Sequence, residues 1–141
     1  MKRFIFSLEK VLILRKYSEE ESKINLGKAI SVLNEIENNI KTSALSRHNA
    51  MKERFSDTEN THDMIAWDNY IVRMDQTIEK LTNEAAKAEM EVEEKRELYL
   101  KASRELKVIE KLKEKREKEY RKEMFKAEAM VADSLPMRKN Q

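Results

Sequence analysis

The chain has 141 residues, of which one is glycine and one is proline, although average usage would supply about a dozen percent of the two together. Charged residues make up 40% of the chain and aromatic residues 6%, and 29 basic against 27 acidic side chains leave a net charge of +2. Sheets, barrels and glycine-rich nucleotide loops need many turn residues, and disordered chains usually carry a strong net charge, so the composition excludes these classes and predicts long helices.

The first residues imitate a signal peptide without completing one. Lys2 and Arg3 precede an apolar triplet, but Glu9 and Lys10 interrupt the apolar run and no small-residue cleavage site follows. A membrane span needs about 20 apolar residues, and the sequence contains no such stretch. Cysteine is absent, which excludes disulfides and thiol catalysis. We expect a soluble, unprocessed chain.

The first predicted helix carries an incomplete coiled-coil seam. Seven of ten positions spaced by four and three are apolar, and the three polar positions, Arg15, Glu19 and Ser22, are consecutive. This gap predicts a loosely held stretch, and beside it a second apolar stripe, Ile13, Tyr17 and Ile24, points elsewhere and is a candidate contact for another molecule. The ten seam positions are Leu8, Leu12, Arg15, Glu19, Ser22, Leu26, Ala29, Leu33, Ile36 and Ile40.

Cap and turn formers cluster only between residues 56 and 63, which predicts a bend there. Ser56 with Glu59 fits a capping box, and Thr61 or Asp63 is an alternative cap for the second helix. Folding the chain about residue 60 sets positions whose numbers sum to roughly 120 opposite each other. The predicted fold class is therefore all-α, a long two-helix antiparallel coiled-coil hairpin. Its predicted organisation is one domain, 1–141, with helix 1 at about 4–56, the bend at about 57–63, helix 2 at about 64–133 and a flexible tail at 134–141.

The second predicted helix carries the stronger seam, from Trp67 to Ile109. Twelve of its thirteen positions are apolar, the exception being Lys95. A pattern sustained over six heptads stays on one helix face only if the helix supercoils around a partner. The hairpin half near the bend looks tighter than the open half, so we expect Leu81→Ala to destabilise more than Leu8→Ala. The alternative to a hairpin is a generic structural coiled coil that dimerises in parallel through the 67–109 seam.

The predicted second helix continues for about 20 residues beyond the start of the first. This overhang bears an apolar stripe, Tyr120, Met124, Ala127 and Val131, which has no partner within a hairpin. Charge sorts along the chain as well, because residues 1–28 and 101–141 together carry about +8 whereas residues 59–100 carry −6. Such a molecule would be oriented by charged partners during encounter.

Chemistry-bearing clusters are scarce, and no catalytic, cofactor-binding or metal-binding residue is predicted. His48 and His62 lack the spacing of metal ligands, and a two-helix rod forms no concave site. The acidic residues around His62 fit an ordinary solvated bend better than a weak cation site. In the basic run 111–122, interleaved glutamates would repel phosphates, so a protein partner is favoured over nucleic acid.

Two segments resemble the flagellar export protein FliJ family. The first, residues 4–15, contains the pattern Phe-x-Leu-x-x-Val-Leu, and the second, residues 106–123, contains Leu-x-x-x-Arg-x-x-x-Tyr. Their order, their spacing and the length of the chain match the family, so the resemblance covers the whole chain, although the middle matches only as a coiled coil. The tail at 134–137 is not a form expected of the family.

The resemblance implies a non-enzymatic stalk or adaptor of the flagellar type III protein export apparatus, without a cofactor. Its open end would enter the hexameric ring of the export ATPase, and the chain would also contact the export gate membrane protein and export chaperones. The implied form is a cytoplasmic monomeric hairpin, peripherally associated with the membrane at the flagellar base, with neither nucleic acid binding nor direct membrane insertion. The ring-binding residues expected are Phe4, Leu8, Val11, Leu12, Arg15, Leu112, Arg116, Tyr120, Met124 and Val131, and the gate-binding residues expected are Phe55 and Tyr70.

Overall fold

The computed structural model describes residues 3–56 and 61–134. Its described residues form two helices, α1 (Glu9–Ser56) and α2 (Thr61–Ser134), and contain no strand. The helices pack extensively against each other, which confirms the predicted all-α antiparallel hairpin. Most of the predicted bend, at 57–60, and most of the predicted tail, at 135–141, lie outside the described residues.

The start of α1 differs from its prediction, because the helix begins at Glu9 and not at about residue 4. The Glu9 amide donates to the Phe6 carbonyl at 3.2 Å, and the Leu12 amide donates to the Leu8 carbonyl at 2.9 Å. Glu9 lies in the first turn, where a carboxylate is stabilised by the helix dipole. The segment from residue 3 to residue 8 is therefore a separate, non-helical element.

The helix ends near the bend use their cap formers differently from the capping-box prediction. Ser56 is the last residue of α1, and its hydroxyl donates to the Glu53 carbonyl at 3.2 Å. Glu59, its predicted capping partner, lies outside the described residues. α2 begins at Thr61 and has Asp63 in its first turn, where the dipole favours a negative charge.

The side chains at the predicted seams are the ones that the helices bury. All ten positions of the first seam, of which Leu8 precedes α1, and all thirteen of the second are buried or half-buried. On α2 the buried seam residues are Ile71, Ala85, Val92, Ala102 and Leu106. Lys95 is half-buried, which fits a long side chain that lays its methylenes along the interface. The stripe Ile13, Tyr17 and Ile24, predicted to point elsewhere, is 50 to 71% exposed.

The chain divides into two compact units, each built from both helices. The terminal unit comprises residues 3–21 and 100–134 of the described chain, and the bend unit comprises residues 22–56 and 61–99. Along α1 the division falls between Glu21 and Ser22, at the predicted gap in the seam. That the chain forms a single domain stays a prediction.

Ion pairs report the register inside each unit. Arg15 pairs with Glu105 in the terminal unit, and Arg47 pairs with Asp75 in the bend unit. The numbers of these partners sum to 120 and 122, close to the roughly 120 predicted from a bend at residue 60. The Trp67 edge stacks on Tyr70, with ring centroids 6.2 Å apart at 89°.

Candidate partner-binding surfaces

The non-helical N-terminal segment packs on α2 through alternate residues. Phe4 is half-buried, Ile5 is 82% exposed and Phe6 is 5% exposed. This alternation is that of an extended backbone, whose successive side chains point to opposite sides. The Phe4 ring lies 5.5 Å from the Tyr120 ring, centroid to centroid, at an interplanar angle of 46°. A helix starting at residue 4 could not direct both Phe4 and Phe6 at α2, which explains why α1 begins later.

The core of the terminal unit contains several residues predicted to bind a partner. Leu12 is 2% exposed and forms a buried cluster with Phe6 and Leu106. Leu8 and Leu112 are half-buried against that cluster. Leu12 therefore has no surface to offer a partner and acts by holding the segment 3–8 against α2.

Two ion pairs join the helices of the terminal unit. The Arg15 guanidinium lies 2.7 Å from the Glu105 carboxylate, and the Lys113 amine lies 3.0 Å from the Glu9 carboxylate. All four side chains are between one third and one half exposed, so water screens these attractions. Arg15, predicted to bind a partner, is thus held by Glu105 within the chain.

The uncovered part of α2 is shorter than the predicted overhang. Tyr120, the first residue of the predicted unpartnered stripe, is half-buried with Phe4 against it. Met124 is half-buried, whereas Val131 is 59% exposed. Arg116 is exposed, and within the described chain no carboxylate lies within 4.0 Å of it. Of the residues predicted to meet a ring, Arg116 and Val131 are the most accessible, and Val11 is half-buried.

Exposed apolar residues missed by the sequence reasoning lie in the same unit. Ile5 is 82% exposed, Phe125 75% and Met130 74%. A search along one seam cannot find them, since Phe125 and Met130 fall on other faces of α2 and Ile5 is not helical. Beside Ile5 lies a groove of about 500 Å³ with a charged lining that includes Arg3 and Glu117.

The bend unit bears the two residues predicted to contact the export gate, and they differ in exposure. Phe55 is 64% exposed, with the Arg54 guanidinium carbon 4.9 Å from its ring centroid. Arg54 also pairs with Asp68, and the hydrogen bond to Asp68 raises the pKa of the Arg54 guanidinium above its usual value.

Tyr70, in contrast, is half-buried against Trp67 and carries the Arg73 guanidinium 5.7 Å from its ring centroid. Tyr70 therefore offers a partner less surface than Phe55 does. Ile65 and Val72 on α2 are 54 and 53% exposed, and they were not found from the sequence. They are seven residues apart and so share a helix face, but that face is not the seam on which the sequence-based predictions rest.

The described residues offer little for metal or bilayer chemistry. Within 3–56 and 61–134, no three His, Cys, Asp or Glu side chains converge as metal ligands. Neither described helix contains an apolar stretch long enough to cross a bilayer.

A family model covers both terminal segments and the helices between them. The model for the flagellar FliJ protein matches residues 4–140, nearly the whole chain. The chain belongs to the FliJ family. Membership makes it a component of the flagellar export apparatus, in a family that is non-catalytic and located in the cytoplasm at the flagellar base. No curated protein and no solved structure matches the chain.

The two FliJ-like segments of the sequence meet in the terminal unit. Phe4 from the first segment stacks on Tyr120 from the second, and Leu12 from the first packs with Leu106 from the second. The resemblance read from the sequence is confirmed by the family match.

Proposed function

We propose that this FliJ-family chain is a non-enzymatic stalk or adaptor whose terminal unit enters the hexameric ring of the flagellar export ATPase. The observation that carries the proposal is the uncovered part of α2 beyond Met124. There the large apolar side chains of Phe125, Met130 and Val131 are 59 to 75% exposed. Burial in the lumen of a ring would remove them from water.

The structure of the terminal unit suits such a role because the surface is prepared before binding. The segment 3–8 is fixed by the buried Phe6 and by the Phe4 ring on Tyr120. The Arg15–Glu105 and Lys113–Glu9 pairs join the two helices behind it. A partner therefore does not have to order this segment, and the entropy cost of binding is lower.

The predicted ring-binding residues divide into two groups under this proposal. Arg116, Met124 and Val131 contact the ring, together with Ile5 and Phe125. The residues of the second group do not touch the ring, and they hold the contacting residues in position by packing within the terminal unit. That group is Phe4, Leu8, Val11, Leu12, Arg15, Leu112 and Tyr120.

Truncation after Met124 tests the proposal, because it removes Phe125, Met130 and Val131 but keeps the Phe4–Tyr120 contact. We expect the melting temperature to stay unchanged and stimulation of the ATPase hexamer to disappear. Arg116→Glu should weaken stimulation in a salt-dependent way, and its matched control is Arg96→Glu in the bend unit, which is also exposed. Full stimulation by both the truncated chain and Arg116→Glu would contradict ring insertion.

A second contact, with the export gate, is proposed for the bend unit. Phe55 is exposed there, and Ile65 and Val72 add further exposed apolar surface on α2. Phe55→Ser should weaken capture by the gate protein while ATPase stimulation stays intact. Loss of both activities in this variant would contradict a separate gate surface. Contact with export chaperones, by family resemblance, completes the proposed linking role at the cytoplasmic face of the membrane.

The alternative, a parallel dimer through the 67–109 seam, would need the side chains that the hairpin already buries between its own two helices. Ile71, Ala85, Val92, Ala102 and Leu106 are buried within a single chain. A parallel dimer would have to expose them first, at about 1.5–3 kcal/mol for each large aliphatic side chain. We therefore favour a monomeric hairpin, which light scattering of the purified chain tests directly.

A further inference from the structure

A row of cations follows the outer face of α2 in the terminal unit. Successive members are three or four residues apart, so they lie on one face of the helix. All seven are exposed. Each of the first three is two residues from a buried or half-buried seam residue, a rotation of about 200° that puts it on the opposite side of the helix from the seam. We call this row the basic stripe. Its members are Arg104, Lys107, Lys111, Lys115, Lys118, Lys122 and Lys126.

The helical arrangement changes how the basic run of the sequence should be interpreted. Read linearly, lysines and glutamates alternate, and the glutamates would repel an anionic partner. On the helix the glutamates border the stripe, as Glu114 and Glu119 do beside Lys115. Lys118, which pairs with Glu114 at 3.3 Å, is the only stripe member with a carboxylate within 4.0 Å in the described chain. The other six cations form no ion pair within the described chain, although glutamates lie beside several of them.

Two exposed apolar side chains lie next to the stripe. Val108 is 65% exposed and lies four residues after Arg104 and three before Lys111. Phe125 is 75% exposed and lies three residues after Lys122. Both neighbour stripe cations on the helix surface, since residues three and four apart are adjacent there. The surface combines a line of positive charge with apolar groups at intervals.

We propose that the basic stripe is a docking surface for an anionic phospholipid bilayer. The stripe extends over the 22 residue steps from Arg104 to Lys126, or about 33 Å, along one helix face. A bilayer offers a matching flat surface of negative charge. Lysine stems can lie along the headgroups with their amines at the phosphates, and Phe125 and Val108 reach the boundary of the acyl region. The helix lies on the bilayer and does not span it.

The composition of the stripe favours lipid over the other anionic partners. Six of its seven members are lysine, a strongly hydrated point charge, and only Arg104 has the planar fork that reads a nucleic acid phosphate or a carboxylate with two bonds. A nucleic acid backbone also has no apolar region to receive Phe125. A copy whose terminal unit is inside an ATPase ring cannot reach a bilayer, so the surface serves copies outside the ring.

Sedimentation of the full chain with vesicles tests the proposal without any other protein. The chain should bind vesicles of phosphatidylcholine with phosphatidylglycerol, should not bind phosphatidylcholine alone, and should dissociate as salt is raised. Each lysine near an anionic membrane surface contributes about a fivefold gain in binding, so Lys111→Gln, Lys115→Gln and Lys122→Gln together should lower binding by about 100-fold.

The matched control combines Lys23→Gln, Lys52→Gln and Lys80→Gln, which remove the same charge from exposed positions of the bend unit. It should retain nearly all binding, and both triple variants should melt like the parent. Phe125→Ser should reduce vesicle binding severalfold. Equal loss in the two triple variants would overturn the proposal. So would binding to duplex DNA that matches vesicle binding and is indifferent to Phe125→Ser, since that outcome indicates a nucleic acid surface.

Discussion

Phe4 and Tyr120 lie with their ring centroids 5.5 Å apart, although 116 positions separate them in the sequence. Phe4 belongs to a non-helical segment and Tyr120 to a helix, so the contact joins two different kinds of element. Four residues further along α2 lies Met124, the last half-buried residue, and every described residue after it is exposed. The exposed apolar side chains proposed to meet a ring lie in that last part of α2.

The Phe4–Tyr120 contact should appear as a coupling between the two rings in stability. Phe4→Ala and Tyr120→Ala should each destabilise the chain, and the double variant should lose less than the sum of the two. Aromatic pairs of this kind couple by about 0.5–1.5 kcal/mol. Urea unfolding of the four proteins of the cycle measures the coupling. Phe125→Ala, at a ring that is 75% exposed, is the control for Tyr120→Ala and should show no coupling to Phe4.

Leu12→Ala should be the most damaging leucine truncation in the chain. Leu12 is 2% exposed, so its removal leaves a cavity inside a packed cluster and should cost about 2–5 kcal/mol. Leu81 is half-buried, and Leu81→Ala should cost less. Leu8, the residue compared with Leu81 on the basis of the sequence, is also half-buried, so the expectation that Leu81→Ala destabilises more than Leu8→Ala stays a prediction. Thermal melts that rank Leu81→Ala as worse than Leu12→Ala would contradict the larger loss expected at Leu12.

The Arg15–Glu105 pair should contribute little to stability by itself. The two side chains are 43 and 38% exposed, and pairs of this kind are worth about 0.2–1 kcal/mol. Arg15→Glu should cost more than this, because it sets two carboxylates together. Adding Glu105→Arg to that variant should recover most of the loss. The test is the melting temperature at low and high salt, and a recovery that persists unchanged at high salt would argue against an electrostatic pair.

The two residues predicted to contact the gate should respond differently to serine. Phe55→Ser should leave the melting temperature nearly unchanged, since this ring is 64% exposed. Tyr70→Ser should lower it, because the Tyr70 ring packs against Trp67. Trp67 is the only tryptophan, so its fluorescence reports the change directly. An unaltered emission spectrum in Tyr70→Ser would mean that the two rings do not pack together in solution.

Periodicity in the sequence was sufficient for the seam and its register. The apolar positions from Trp67 to Ile109 predict a buried face because a repeat of three and four can serve only one side of a helix. Arg15 opposite Glu105 then follows from the position of the bend. The hairpin fold needed no information beyond these patterns.

The extended form of segment 3–8 and the basic stripe could not be predicted from the sequence and became evident only in the structure. Nothing local in Phe4-Ile5-Phe6 forbids a helix, and its extended form is decided by the distant Tyr120 and Leu106, so the local pattern could not reveal it. The stripe was hidden for a different reason. Lysines and glutamates alternate along the chain, and they separate into a row and its borders only when they are wound on a helix.

The burial of Leu12 against Leu106 also constrains when the protein can finish folding during its synthesis. A ribosome that adds about 5–20 residues per second needs about 5–20 s to progress from Leu12 to Leu106. Throughout that interval Leu12 and Phe6 lack the helix that buries them. The pairs of the bend unit, such as Arg54 with Asp68, are separated by far fewer residues and become available soon after their second member is made. The nascent chain therefore carries an apolar segment, exposed to proteases and holding chaperones, until Leu106 and the helix around it have been made.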